Sequence, residues 1–246
     1  MLEKESKPLV IPVLAGLLVI AAFLIGNFWT RVRYFEKDQP PQVLAEKIEP
    51  GGQESDLEGK EVKQISPVTE EDHLFGNSEA EIILVEYSDF ECPYSKSFHL
   101  TMKQVLAEYG DKVAWVYRHF PLDFHANAQK EAEASECAAE LGGNQAFWSY
   151  ADALFERTAG NGTGFALDQL TPLAVELGLD GDAFGECLDS GRFSQKVGDY
   201  MAGGQAAGIG GTPGTIVLAK DGERATDIIP GALPFESVKE IIVKWL

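Results

Sequence analysis

Two short apolar runs rich in β-forming residues, Ile82–Tyr87 (IILVEY) and Val113–Tyr117 (VAWVY), flank a segment whose apolar positions recur every three or four residues. That segment sets Phe98, Met102, Val105, Leu106 and Tyr109 on one face and ends at Gly110, the pattern of an amphipathic helix lying on a core. The two runs read as buried strands. Strand, helix and strand in this order predict a parallel pair joined by a right-handed crossover, and therefore an α/β fold.

From about residue 125 to residue 207 the pattern is helical, interrupted by GNGTG at Gly160–Gly164. Strand character returns at Thr215–Leu218; the Asp221-Gly222 turn signal then leads to a further strand at Ala225–Ile229. A last amphipathic helix is expected over Pro234–Trp245. Residues 66–246 thus read as one folded domain carrying a helical insertion at about 125–207.

Ahead of this domain, Pro8–Trp29 carries no charge, and about 22 residues at 1.5 Å each are enough to cross a bilayer. The run is longer than a signal-peptide core and ends without a small-x-small cleavage pattern, so residues 1–30 are expected to form an uncleaved single-pass membrane anchor. Lys4 and Lys7 precede the span while Arg31, Arg33 and Lys37 follow it, so charge counting does not orient it. Residues 31–65, with Pro40, Pro41, Pro50, Gly51 and Gly52 and no apolar period, read as a flexible linker.

The formal net charge of −19 and the lack of any Lys/Arg cluster argue against a nucleic-acid partner. The acidity reads as solvation of helix faces. Cys92, Cys137 and Cys187 lack zinc-site spacing, and none of His73, His99, His119 and His125 shows ligand spacing with another, so no metal or cofactor is expected and the histidines read as structural or surface residues.

Cys92 lies just past the first strand, at the start of the helix, in Ser88-Asp89-Phe90-Glu91-Cys92-Pro93-Tyr94-Ser95. Free N–H groups and the positive end of the helix dipole favour a thiolate there, and Pro93 suits a first turn that needs no N–H. This segment, together with GIGGTPGTIV at Gly208–Val217, resembles the DsbA-like branch of the thioredoxin superfamily over most of residues 66–246. The resemblance implies a thioredoxin-like fold, thiol–disulfide exchange on exported proteins, and a domain outside the cytoplasm, periplasmic or extracellular. It implies Cys92 as the catalytic sulfur, Glu86 as a buried proton relay, and Pro93, Tyr94, Thr212 and a cis Pro213 at the substrate-binding surface. A cis proline there leaves the main chain of Thr212 open to an extended peptide.

Two positions depart from the DsbA-like pattern. Ser95 stands where the second cysteine of a Cys-Pro-x-Cys site is expected, so the motif cannot form its own disulfide, and a serine hydroxyl cannot resolve a mixed disulfide. Tyr94 replaces the histidine of the most oxidising relatives. Cys137 and Cys187 occupy places like those of a second, structural pair in some relatives; two free buried thiols, or one sulfur resolving Cys92 from a distance, are the other readings. The expected activity is monothiol isomerase-like or reductase-like exchange, aided by an external thiol or redox partner. The alternative is a non-enzymatic peptide-binding module with a degenerate redox site.

Overall fold

The computed structural model describes residues 65–220 and 225–246. The expected membrane span at residues 8–29 and nearly all of the linker lie outside the described residues, and Ile65, the first described residue, is buried. Among the described residues, no helix is long and apolar enough to cross a membrane.

Five strands form one sheet: β1 (His73–Gly76), β2 (Ile82–Ser88), β3 (Val113–His119), β4 (Gly214–Ala219) and β5 (Ala225–Pro230), in the spatial order β1-β3-β2-β4-β5. The crossover helix α1 (Pro93–Tyr109) joins the parallel pair β2 and β3, as the apolar periodicity predicts; the other neighbours pair antiparallel. β1 has no counterpart in the sequence reading. It is a four-residue edge strand with only His73 buried, so no apolar run announces it.

All seven residues of β2 are buried. Strand alternation sends Ile82 and Leu84 toward Phe98, Met102 and Val105 of α1, and sends Ile83, Val85 and Tyr87 into a second cluster with Ile216 and Phe120. Each such aliphatic or aromatic side chain contributes roughly 1.5–3 kcal/mol on burial.

Between β3 and β4 the insertion comprises α2 (Ala128–Arg157), α3 (Leu170–Glu176), α4 (Gly181–Ser190) and α5 (Ser194–Ala207); α6 (Phe235–Val243) follows β5. Gly143 breaks the path of α2 with φ 70° and ψ −168°, a backbone conformation that a Cβ disfavours. Cys137 of α2 and Cys187 of α4 are joined by a disulfide across 50 residues, both sulfurs buried. Closing a loop of that length contributes on the order of 4 kcal/mol in the chain-entropy picture.

Most of the described acidic residues face solvent, as read from the sequence, but a set of them lies in the interior. Glu86, Asp89, Glu91, Glu131 and Glu136 are all buried. Glu136 accepts from His73 Nε2 at 2.9 Å, His119 Nε2 at 3.0 Å and Lys196 Nζ at 2.7 Å. Burial opposes its charge, but His119 and His73 outweigh burial and hold it far below the carboxylate range. All four histidines are buried and paired with carboxylates, so they are structural and none is a surface residue.

Arg118 on β3 is buried and spends its donors on the segment entering the domain. It grips Asp72 through Nε–Oδ1 at 2.8 Å and Nη2–Oδ2 at 2.9 Å, and donates to the carbonyls of Ser66 and Pro67 at 2.9 Å each and to the Tyr87 hydroxyl at 3.1 Å. Arg118→Met strips the buried Asp72 of its guanidinium partner, so unfolding in urea is expected to show a loss of about 3–5 kcal/mol. A loss under about 1 kcal/mol is the result for a surface pair and contradicts this account.

Candidate functional site

β2 ends at Ser88, and a tight turn through Asp89, Phe90 and Glu91 delivers the chain into α1. Cys92 is the N-cap residue, in extended conformation (φ −81°, ψ 119°), with Pro93 at the first helical position. Its N–H donates to the Asp89 carbonyl at 3.1 Å and its carbonyl accepts the Lys96 N–H at 3.0 Å. The cysteine side chain makes no capping bond. Instead its Sγ donates to the Thr212 carbonyl at 3.3 Å.

The Thr212–Pro213 peptide bond is cis, at the entry to β4. Fold topology thus brings Cys92, Thr212 and Pro213 together, although they lie far apart in the chain. Cys92 is 4% exposed, whereas Pro93 and Tyr94 face outward, Tyr94 at 68%. Ser95 is buried in the first turn of α1, and its hydroxyl has no hydrogen-bond partner among the described residues.

Glu86 sits on β2 between Tyr117 of β3 and Thr215 of β4. It is fully buried, and burial pushes its carboxyl up from an ordinary 4.5 to about 7; nearby Ser88 and Trp115 temper the rise without reaching it in hydrogen-bond geometry. A carboxyl in this range takes and returns a proton near neutrality. Its side chain makes no hydrogen bond to Cys92 among the described residues.

The turn itself holds residues that sequence reasoning missed. Asp89 accepts the N–H of Glu91 at 2.8 Å, the N–H of Leu122 at 2.9 Å and His125 Nδ1 at 2.8 Å, while burial still pushes its carboxyl above the ordinary value. Glu91, next to the sulfur, is buried under residues 158–165 of the insertion. Both acids stand in the DFECPYS motif, so their position was visible, but most of their partners are main-chain N–H groups that no side-chain pattern marks. Among the described residues no group of His, Cys, Asp or Glu side chains is arranged to hold a metal ion.

A family model described as thioredoxin matches residues 68–240. The chain belongs to the thioredoxin family. Solved structures similar to it include DsbA proteins. DsbA2 of Pseudomonas aeruginosa superposes on this thioredoxin-family chain with a TM-score of 0.60 at 27% identity, covering 71% of this chain and 94% of DsbA2. Oxidised BdbD of Bacillus subtilis gives a TM-score of 0.63 at 22% identity over 75% of this chain and 98% of BdbD, a likeness of fold. Among curated proteins, the Na(+)/H(+) antiporter NhaA 3 of Salinispora tropica is 36% identical over an alignment of 148 residues that covers 58% of this chain. This thioredoxin-family chain spans 21% of that antiporter's length, so the match concerns one portion of a longer polypeptide.

The state of Glu86 makes stability depend on pH with a definite sign. Unfolded, it ionises near 4.5; folded, it keeps its proton to about 7, so between these values the native state binds more protons. Its contribution is therefore complete below about pH 4.5 and is lost as pH rises through 7. Glu86→Gln is neutral throughout, and its stability relative to wild type is expected to rise by roughly 3 kcal/mol between pH 4.5 and pH 8 in urea melts. Parallel stability–pH curves for the two proteins contradict a neutral Glu86.

Proposed function

We propose that this DsbA-like thiol–disulfide oxidoreductase works through one sulfur, Cys92, exchanging disulfides of exported proteins outside the cytoplasm with an external thiol to complete each turnover. The observation that carries the reading is the thiol at the N-cap of α1, bonded to the Thr212 carbonyl beside cis Pro213, with Ser95 buried three residues on and Cys137 paired to Cys187. Cys92 is the free cysteine of the domain.

In the proposed cycle Cys92 gives up its proton, with Glu86 as acceptor, and its thiolate attacks one sulfur of a substrate disulfide. The Cys92–substrate disulfide forms as the substrate's other sulfur departs as a thiolate. A second substrate thiol or a small external thiol then attacks the mixed disulfide, forms a new disulfide and releases Cys92 as thiolate, which recovers its proton from Glu86. Thr212 and Pro213 receive the extended substrate segment, and Pro93 and Tyr94 form the outward side of the same site. Residues 8–29 hold the domain to a membrane, which confines it to substrates passing nearby. A buried disulfide within the domain suits an oxidising compartment.

The full-length chain, given a scrambled disulfide protein and a small thiol, is expected to restore native pairings, and Cys92→Ala to fall to the background rate. Equal rates for the two proteins refute the exchange reading; retained peptide binding in that event marks a binding module instead.

Ser95→Cys restores the second sulfur of the motif. The variant is expected to form a disulfide between Cys92 and the introduced thiol, seen as a mass loss of two hydrogens, and to oxidise a reduced protein substrate severalfold faster than wild type. Oxidation no faster than wild type, with that disulfide formed, counts against the missing second sulfur as the limit on the reaction.

A further inference from the structure

The GNGTG segment interrupts the insertion, and the exchange chemistry above leaves it without a task. In the fold it closes over the residue that precedes the reactive sulfur. Glu91 Oε2 accepts the N–H groups of Gly162 at 2.8 Å and Gly164 at 2.7 Å. Glu91 Oε1 accepts the Phe165 N–H at 2.9 Å and the Thr158 hydroxyl at 3.2 Å. The Glu91 carbonyl accepts the Asn161 N–H at 2.7 Å. From the other side, Lys96 in the first turns of α1 donates Nζ to the carbonyls of Thr158 at 2.7 Å and Glu156 at 3.1 Å.

The glycines are there because the loop must come close. Gly162 has φ 96°, and a Cβ on it would lie 2.8 Å from the His125 Cα. The Gly162 carbonyl in turn accepts the Asn127 N–H at 2.8 Å, which ties the loop to the start of α2. Residues 158–165 are therefore fastened both to the segment leaving β3 and to the segment carrying Cys92.

The charge belongs to Glu91. Burial opposes it, but Glu131 and the N–H groups of Gly164, Phe165 and Gly162 outweigh burial and hold the Glu91 carboxyl below its ordinary value. Glu131 of α2 is buried alongside, and neither of its oxygens meets strict hydrogen-bond geometry with any partner among the described residues. Burial first, then Glu91 and Asp89, push Glu131 up to about 10, so at neutral pH the pair carries one proton and one charge. N–H groups donated to an ionised carboxylate away from water make bonds about twice as strong as neutral ones.

Cys92 has no side-chain cap to fix its turn, and the residue beside it is instead held by an array of charge-assisted bonds. We propose that Glu91 is a positioning residue for Cys92: seated in the donors of residues 158–165, its carboxylate locks the sulfur-bearing turn to the helical insertion and fixes the direction in which Cys92 meets a disulfide. The inference rests on the reading of Cys92 as the exchanging sulfur. A displacement on the order of 1 Å at a reacting atom costs about a hundredfold in rate, so a lock of this kind acts on turnover more than on substrate affinity.

Glu91→Gln keeps the shape but turns an NH2 group toward main-chain donors. In the full-length chain, folded by circular dichroism, kcat on a peptide disulfide is expected to fall at least tenfold with KM within twofold. Alkylation of Cys92 by iodoacetamide, followed by intact mass, is expected to quicken at least threefold as the shielded sulfur is released. A lower melting point with kcat and alkylation both as in wild type is the signature of a merely structural residue and overturns the proposal. Should Glu91→Gln fail to fold, Thr158→Val removes one donor from the same carboxylate; a kcat about threefold lower at constant KM supports the lock, and an unchanged kcat overturns it. If wild type itself shows no exchange, the proposed function falls, and the alkylation rates alone decide the role of Glu91.

Discussion

Because β2 is covered on both faces, every polar group it carries has to be accommodated inside the protein. Tyr87, on one face, gives its hydroxyl to Arg118, whose remaining donors hold Asp72 and the carbonyls of Ser66 and Pro67. Glu86, on the other face, finds no such partner, and its carboxyl is held neutral nearly to pH 7. The turn that follows inherits the same constraint: Asp89 and Glu91 leave the strand into the interior, and both are satisfied largely by main-chain N–H groups.

Charge inside this domain follows the supply of donors. Glu136 has two imidazoles and an ammonium on it and stays ionised, and Glu91 has three N–H groups and a hydroxyl and does the same. Glu86 and Glu131 lack convergent donors, and both are pushed toward the protonated form, to about 7 and about 10. An uncompensated buried ion costs several kcal/mol, more than the free energy of protonating a carboxyl at neutral pH, so protonation is the cheaper state. The strand and turn that lead to Cys92 thus carry both a carboxyl that titrates near neutrality, Glu86, and a carboxylate that holds its charge, Glu91. The first is suited to moving protons; the second is suited to holding still.

Much of this architecture was legible because apolar pattern and burial go together. IILVEY and VAWVY are buried strands, the face running from Phe98 to Val105 is core, and the segment from Pro93 to Tyr109 is the crossover helix. β1 escaped because an edge strand with one buried residue carries no such pattern. The interior places of Asp89 and Glu91 escaped for a different reason: composition reports how many carboxylates a chain has, not which of them fold against N–H groups 30 to 75 residues away, as Asp89 does with Leu122 and Glu91 does with Gly162 and Phe165. The closeness of Cys92 to Thr212 followed from a family resemblance, since nothing in spacing or periodicity joins a helix start to a loop so distant in the chain.

Under the single-sulfur reading, the other two cysteines matter by what they cannot do. Cys137 and Cys187 are spent on each other in the insertion, and Ser95 offers only a hydroxyl, so no second thiol within the described domain is free to resolve a Cys92 mixed disulfide. A two-cysteine motif carries its own redox potential, set by how well the protein stabilises its dithiol relative to its disulfide. A lone cysteine has no such internal couple. Whether it reduces, reshuffles or stays trapped is then set by the thiol that meets it, so the direction of net reaction passes from the motif to the thiol poise of the compartment. What remains for the protein to control is presentation of the sulfur, and that is where the bonds of Thr212, Glu91 and residues 158–165 converge.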